Sequence, residues 1–254
     1  MLKRLLSQPS TWILIGFGVL YALISIPNHL LFRTFALDLG AYTNALWDYS
    51  HFQWNDSRVF KLEAENLLAD HFDLYLMLLS PLQILFGTYT LLIVQILALL
   101  IGGVGVKRFL HKELNEEKLG VLGMVLYLSF FGVFSALGFD YHSNVLAACL
   151  VPWLFYHVSS ANWGKAGLFL LLIWVGKENM SFWMGFTCLG LGIHYRKTAA
   201  IRNRMLIGSV VSLAFFLLVL KVIMPAFSNS ADYHHFHYSV LGEGLMDALG
   251  HVLR

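Results

Sequence analysis

Apolar residues in this chain come in long runs parted by short polar interruptions, the pattern of helices that cross a bilayer. Seven runs, at roughly 11–32, 88–106, 119–137, 144–159, 163–177, 180–195 and 205–226, are predicted to span. Several are shorter than the about 20 residues a lone span needs, and shielding inside a bundle makes up the difference. The stretch 73–86, "DLYLMLLSPLQILF", is apolar as well, but it is short and carries Pro81. Its status decides the topology.

If 73–86 crossed, "KRFLHKEL" at 107–114 would face the same side as 33–72, and the basic residues would lose their one-sidedness. The tendency of Lys and Arg to stay cytoplasmic argues against that. With 73–86 lying along the outer surface or dipping in and returning, 11 of the 17 Lys and Arg are cytoplasmic: Lys3, Arg4, Lys107, Arg108, Lys112, Lys118, Lys165, Arg196, Lys197, Arg202 and Arg204. The expectation is an N-terminus inside, seven spans and a C-terminus outside. Three outer segments follow, 33–87, 138–143 and 227–254. The opening "MLKRLLSQPSTW" has the basic start of a signal peptide, but no small-residue cleavage site follows, so it reads as leading into an uncleaved first span. "GKENMSF" interrupts the apolar block from Ala166 to Ile193, and two short helices meeting at the outer rim keep Lys177 and Glu178 out of the mid-bilayer.

Composition agrees with this picture. At 58% hydrophobic and 13% charged the chain is too apolar for a soluble domain of its size, and it reads as one all-α multi-pass membrane domain over residues 1–254. A net charge of +2 with no long basic run gives nucleic acid no footing as a partner, which leaves membrane lipids. Cys149 and Cys188 sit inside apolar runs and read as small buried hydrophobes.

The polar residues that could carry chemistry fall on the outer side. "FALDLGAYTNALW" puts Asp38 just past the first span, at the head of an amphipathic segment in which Leu37, Tyr42, Leu46 and Tyr49 recur at helical spacing. Asp38 there either caps that helix or serves as a catalytic carboxylate. "ADHFDLYL" brings Asp70, His71 and Asp73 together, as solvated caps or as weak ligands for a divalent cation. "GFDYHSN" places Asp140 and His142 in the tightest outer turn, where Asp and Asn also serve local hydrogen bonds. Lys177 and Glu178, adjacent and therefore about 100° apart on a helix, are expected to take different partners, with Lys177 suited to a phosphate or a carboxylate. "DYHHFHY" offers His234, His235 and His237 in an interfacial loop. "LIGGVGVKRF" lies within a span and reads as close helix packing, not as a nucleotide loop.

Four blocks, "FALDLGAYTNALW", "DHFDLYLMLLSPLQILFG", "GFDYHSNVLAACLVPWLFY" and "GKENMSFWMGF", resemble in order and spacing the bacterial membrane proteins grouped as domain of unknown function 2079. Two departures stand out: Ala36 separates the Phe and Asp of the first block, and Asn179 replaces an acid in the last. That family looks like a distant branch of the C-type glycosyltransferases, membrane enzymes that use polyprenyl-phosphate sugar donors. The resemblance implies a seven-span module with external juxtamembrane helices in the first outer loop, in a bacterial inner membrane. It implies Asp38 as catalytic base, with substrate-binding roles for His71, Asp73, Asp140, His142, Lys177 and Glu178. It assigns no certain cofactor beyond a possible divalent cation. Because members are usually longer, it also implies that the chain is an N-terminal portion. A transporter with an outward polar cavity, or a non-catalytic membrane scaffold, are the rival readings.

Overall fold

A computed structural model describes residues 9–59, 64–228 and 250. Helix α1, Pro9–Leu30, leads into a π turn at Ala36–Gly40 and helix α2, Ala41–Ser50. A two-residue antiparallel pairing, β1 (Asp56–Ser57) with β2 (Glu65–Asn66), then precedes the short α3, Leu67–Asp70. Helices α4 (Tyr75–Leu79) and α5 (Gln83–Phe86) are joined by a 3-10 turn through Pro81. The main bundle follows: α6 Thr90–Leu114, α7 Glu117–Leu128, α8 Phe131–Gly138, α9 Ser143–Ser159, α10 Trp163–Trp174, α11 Glu178–His194 and α12 Ala199–Leu218. A second π turn, Val219–Ile223, ends in α13, Met224–Phe227.

Four helical stretches, Pro9–Leu30, Tyr75–Leu114, Glu117–Gly138 and Ala199–Phe227, are long and apolar enough to cross a membrane, while Ser143–Ser159 and Trp163–Trp174 are shorter apolar helices. The bundle is built outward-apolar. Helix α1 buries only Ser10, Tyr21 and Ser25, yet exposes Trp12, Ile15, Val19 and Leu23 along one stripe. Helix α12 repeats the arrangement, burying Met205, Ser209 and Ser212 at helical spacing and exposing Ile207, Val210 and Leu217. That inversion is what a lipid environment selects, since small and hydroxyl side chains pack the helix contacts and large apolar ones meet the acyl chains.

Helix α6 is the hub, packed on α1, α7 and α9, and α9 passes the contact on to α10, α10 to α11 and α11 to α12. The glycine patch explains the closeness. A Cβ at Gly102 would lie 2.5 Å from the Tyr127 hydroxyl and 3.1 Å from Cys149, and one at Gly105 would lie 2.8 Å from the Trp153 ring. The close-packing reading of "LIGGVGVKRF" is therefore supported, and Cys149 and Cys188 are both free and buried.

Element boundaries depart from the sequence expectations in three places. "KRFLHKEL" is no connector: α6 continues through it to Leu114 and ends at Asn115, which adopts a left-handed φ of 52°. The predicted span 119–137 breaks between α7 and α8, and the Tyr21 hydroxyl donates to the freed Leu128 carbonyl. The last span starts earlier, at Ala199. The 73–86 stretch is helical but bent away from α6 at Gly87, whose φ is +55°, and it packs on α2. Leu78, Ile84 and Leu85 of this stretch face outward. The histidines His234, His235 and His237, with nearly all of 227–254, lie outside the described residues.

Cation contacts gather at one end of the bundle. There the Lys107 ammonium donates to Ser10 and pairs with Glu117 at 3.1 Å, Arg108 lies over Trp153, and Arg204 lies over Trp163. The chain directions put the first-loop helices, the turn 139–142 and the junction 175–177 at the opposite end.

Candidate functional site

Three chain segments meet at that opposite end. The first is the π turn, in which the Gly40 N–H reaches back to the Phe35 carbonyl, a longer ring than an α-helix allows. The widened turn carries Asp38. Neither the turn nor α2 has a side-chain cap, and the Asp38 carboxylate accepts no hydrogen bond among the described residues. Its nearest partner is His142, with Nε2 3.9 Å from Oδ1. The capping alternative is thereby set aside. Leu37 also falls off the buried face of the segment, being exposed, whereas Tyr42 and Leu46 are buried and Tyr49 is partly so.

The second segment is the turn Phe139–His142. Asp140 has φ of 76°, a left-handed conformation that a non-glycine residue adopts only under outside constraint. That constraint comes from two sides. The Phe35 N–H donates to Asp140 Oδ2 at 2.7 Å, and Gln95, fully buried in α6, grips the turn with both ends of its amide. Gln95 Nε2 donates to the Asp140 carbonyl at 2.7 Å, while its Oε1 accepts from the His142 N–H at 2.9 Å. Sequence reasoning missed Gln95, although a lone amide inside "LLIVQILALL" was the available signal. Burial raises the Asp140 carboxyl above its ordinary range, against the opposing Phe35 N–H. Burial lowers His142 in turn, outweighing the pull of Asp38, so at neutral pH the imidazole carries little charge and Asp38 faces an uncharged ring.

The third segment joins residues 71–74 to the junction between α10 and α11. The Leu74 N–H donates to the Val175 carbonyl, and the Tyr75 hydroxyl donates to the Leu172 carbonyl at the end of α10. A Cβ at Gly176 would fall 2.8 Å from the Tyr75 ring, so only glycine lets the junction sit this close. His71 lies between two carboxylates, Nδ1 3.4 Å from Glu178 and Nε2 3.5 Å from Asp70. Glu178, buried at the head of α11, also accepts from the Phe72 N–H at 3.1 Å. Asp73 is buried; its Oδ1 accepts from the Tyr75 N–H, and its Oδ2 has no partner among the described residues. Burial pushes the Asp73 carboxyl up to about 7, against the opposing Ser143 hydroxyl and Tyr75 N–H. Lys177 precedes α11 in extended backbone, half-buried, and forms no hydrogen bond or ion pair among the described residues.

The predicted residues therefore do converge. His142 is within electrostatic reach of Asp38, Lys177, Asp140 and His71, and Lys177 of Asp73 and Glu178. Glu178 pairs with His71 and Lys177 does not, but Lys177 stands in extended backbone ahead of α11, so the 100° helical separation expected of the two does not apply. Among the described residues no three His, Cys, Asp or Glu side chains come together as a metal site, so Asp70, His71 and Asp73 do not form one by themselves.

An outward-apolar helical bundle with charged groups gathered beyond its helix ends defines a multi-pass membrane protein. Residues 28–254 match the family model described as predicted membrane protein (DUF2079), and the chain belongs to that family. No curated protein and no solved structure matches it.

Proposed function

We propose that the protein is a membrane glycosyltransferase that moves a sugar from a polyprenyl-phosphate donor to an acceptor hydroxyl on the outer side of a bacterial inner membrane. In this reading α1, α6, α7 with α8, α9, α10, α11 and α12 make seven spans, and the first-loop helices rest in the outer leaflet on Leu78, Ile84 and Leu85. The cation-bearing end faces the cytoplasm. The architecture in this reading is of the C type. The observation that carries the proposal is the pair Asp38 and Lys177, two partly buried charges at one end of the bundle that no cap and no hydrogen bond engages, with Asp38 facing the His142 ring at 3.9 Å.

The chemistry follows from what each group can do. The acceptor oxygen attacks the anomeric carbon and its proton passes to the Asp38 carboxylate, while the anomeric C–O bond breaks and its electron pair leaves on the lipid phosphate. One displacement inverts the configuration. A positioned base of this kind contributes about 10²- to 10⁴-fold in rate. Lys177, with His142 as a hydrogen-bond donor, stabilises the departing phosphate, and His71, held between Glu178 and Asp70, lines the substrate side of the site. Glu178 orients His71, and Asp73 and Glu178 are the buried acids within electrostatic reach of Lys177. Asp140 holds the strained turn that presents His142 to Asp38. A proton relay through a transporter would place these groups along the mid-membrane length of the helices, and they lie beyond the helix ends instead.

Membranes containing the protein are expected to consume at least one labelled polyprenyl-phosphate sugar, and no turnover with any donor of a broad panel would overturn the reading. Cysteines introduced at Ser57 and Thr198 are expected to label from opposite sides of the membrane, with low background because Cys149 and Cys188 are buried. Labelling of both from one side would sink the seven-span arrangement.

A further inference from the structure

A second cavity lies beside Asp38 without including it. About 560 Å³ in volume, it is lined by the end of α1, the π turn, one side of α2, and Gln83 and Thr88 of the first loop. This volume falls in the range of small-molecule sites, about 300–1,000 Å³. Ala36, Leu39 and Gly40 of the π turn face it, whereas the Asp38 carboxylate turns towards His142.

The lining has a specific chemistry. No Asp, Glu, Lys or Arg contributes to it. His29 is engaged on both ring nitrogens, by Thr34 and by Thr88, and so serves as wall. Three uncharged polar groups are left over. The Thr43 hydroxyl and the Trp47 indole N–H make no hydrogen bond among the described residues. Asn44 uses its carbonyl oxygen to accept from Asn55 and keeps its NH2 donors. Trp47 is held against His51, with ring centroids 4.1 Å apart and planes tilted by 32°, yet stays 48% exposed.

These features disfavour three ligand classes and suit a fourth. An anion finds no cation, and a cation finds no carboxylate. An alkyl chain would bury the leftover amide and hydroxyl groups without partners, which is unfavourable. A ring bearing hydroxyls satisfies them on its edge and lays its C–H face on an aromatic surface. We infer that this cavity is a binding subsite for a neutral sugar, either a free glycan or the headgroup of a glycolipid, set next to the reacting centre and distinct from it. The inference rests on the lining alone and stands whether or not the transfer reaction proposed above occurs.

The test is direct binding by the full chain in phosphatidylcholine nanodiscs, which carry no sugar. The probes are neutral methyl glycosides in solution and a neutral hexosyl-diacylglycerol placed in the disc. Saturable binding of the soluble glycosides supports a free glycan; binding of the glycolipid alone supports a lipid-borne one. In either case Trp47→Leu is expected to weaken binding by about tenfold, through lost stacking. Thr43→Val, which keeps shape and removes only the hydroxyl, is expected to weaken it by about threefold. Absence of binding by either probe, or binding that neither substitution weakens, overturns the inference.

Discussion

The two ends of the bundle treat their charges differently. At the end that holds Lys107, Arg108 and Arg204 each of these cations has a partner: Lys107 has Ser10 and Glu117, while the two guanidinium groups lie 5.0 and 4.4 Å over indole rings. At the other end Asp38 and Lys177 are partly buried and yet held by no hydrogen bond, although histidines and acids surround them. A partly desolvated charge without a hydrogen bond is costly, so structure alone does not select for one. The basic end follows the logic of anchoring, and the acidic end is the one the proposed site occupies.

The largest effect that distinguishes the ends is on turnover. Lys177→Met is expected to lower it by about 10²- to 10³-fold, as for the loss of one preorganised donor to a developing charge, while Arg204→Met leaves it within about twofold. Equal losses from the two substitutions would erase the distinction. Next in size is Gln95→Leu, which removes both grips on the 139–142 turn and leaves the Asp140 carbonyl and the His142 N–H unpaired. It is expected to cost about 2–4 kcal/mol in thermal or denaturant unfolding of the solubilised protein.

Asp73 separates the ends by pH. Its carboxyl is raised to about 7, so the fold favours the protonated form. The stability it contributes is complete below the ordinary carboxylate range and is lost as pH rises through about 7. Asp73→Asn keeps an oxygen for the Tyr75 N–H and removes the ionisation. Relative to wild type it is expected to gain on the order of 1–3 kcal/mol between pH 4 and pH 8, and a difference that does not change with pH would contradict the assignment. The smallest effect belongs to the basic end, where Glu117 is largely exposed. Glu117→Gln is expected to cost less than about 1 kcal/mol and to leave turnover untouched.

Much of this was legible in the sequence because lipid imposes a coarse rule. Apolar runs located the main helices, the interrupting "GKENMSF" marked the junction between α10 and α11, and the glycine patch marked the tight packing of α6. Charge bias separated the ends before any contact was known. Boundaries were less legible, since α6 continues through polar residues that hydropathy reads as a loop, and the break between α7 and α8 depends on a tertiary hydrogen bond from Tyr21. The candidate site was visible as residue types but not as geometry. Asp at the head of a helix predicts a cap, and only the π turn shows the carboxylate facing His142 instead. Gln95 escaped because its role comes from a turn more than forty positions away, a pairing that local pattern does not encode.

Asp38→Asn tests the central claim most directly, because Asn keeps the shape of the side chain and loses the ability to accept the proton. With donor consumption measured in membranes at matched expression, turnover is expected to fall by about 10²- to 10⁴-fold while donor binding persists. Turnover equal to that of the wild type would remove Asp38 as the base and contradict the account.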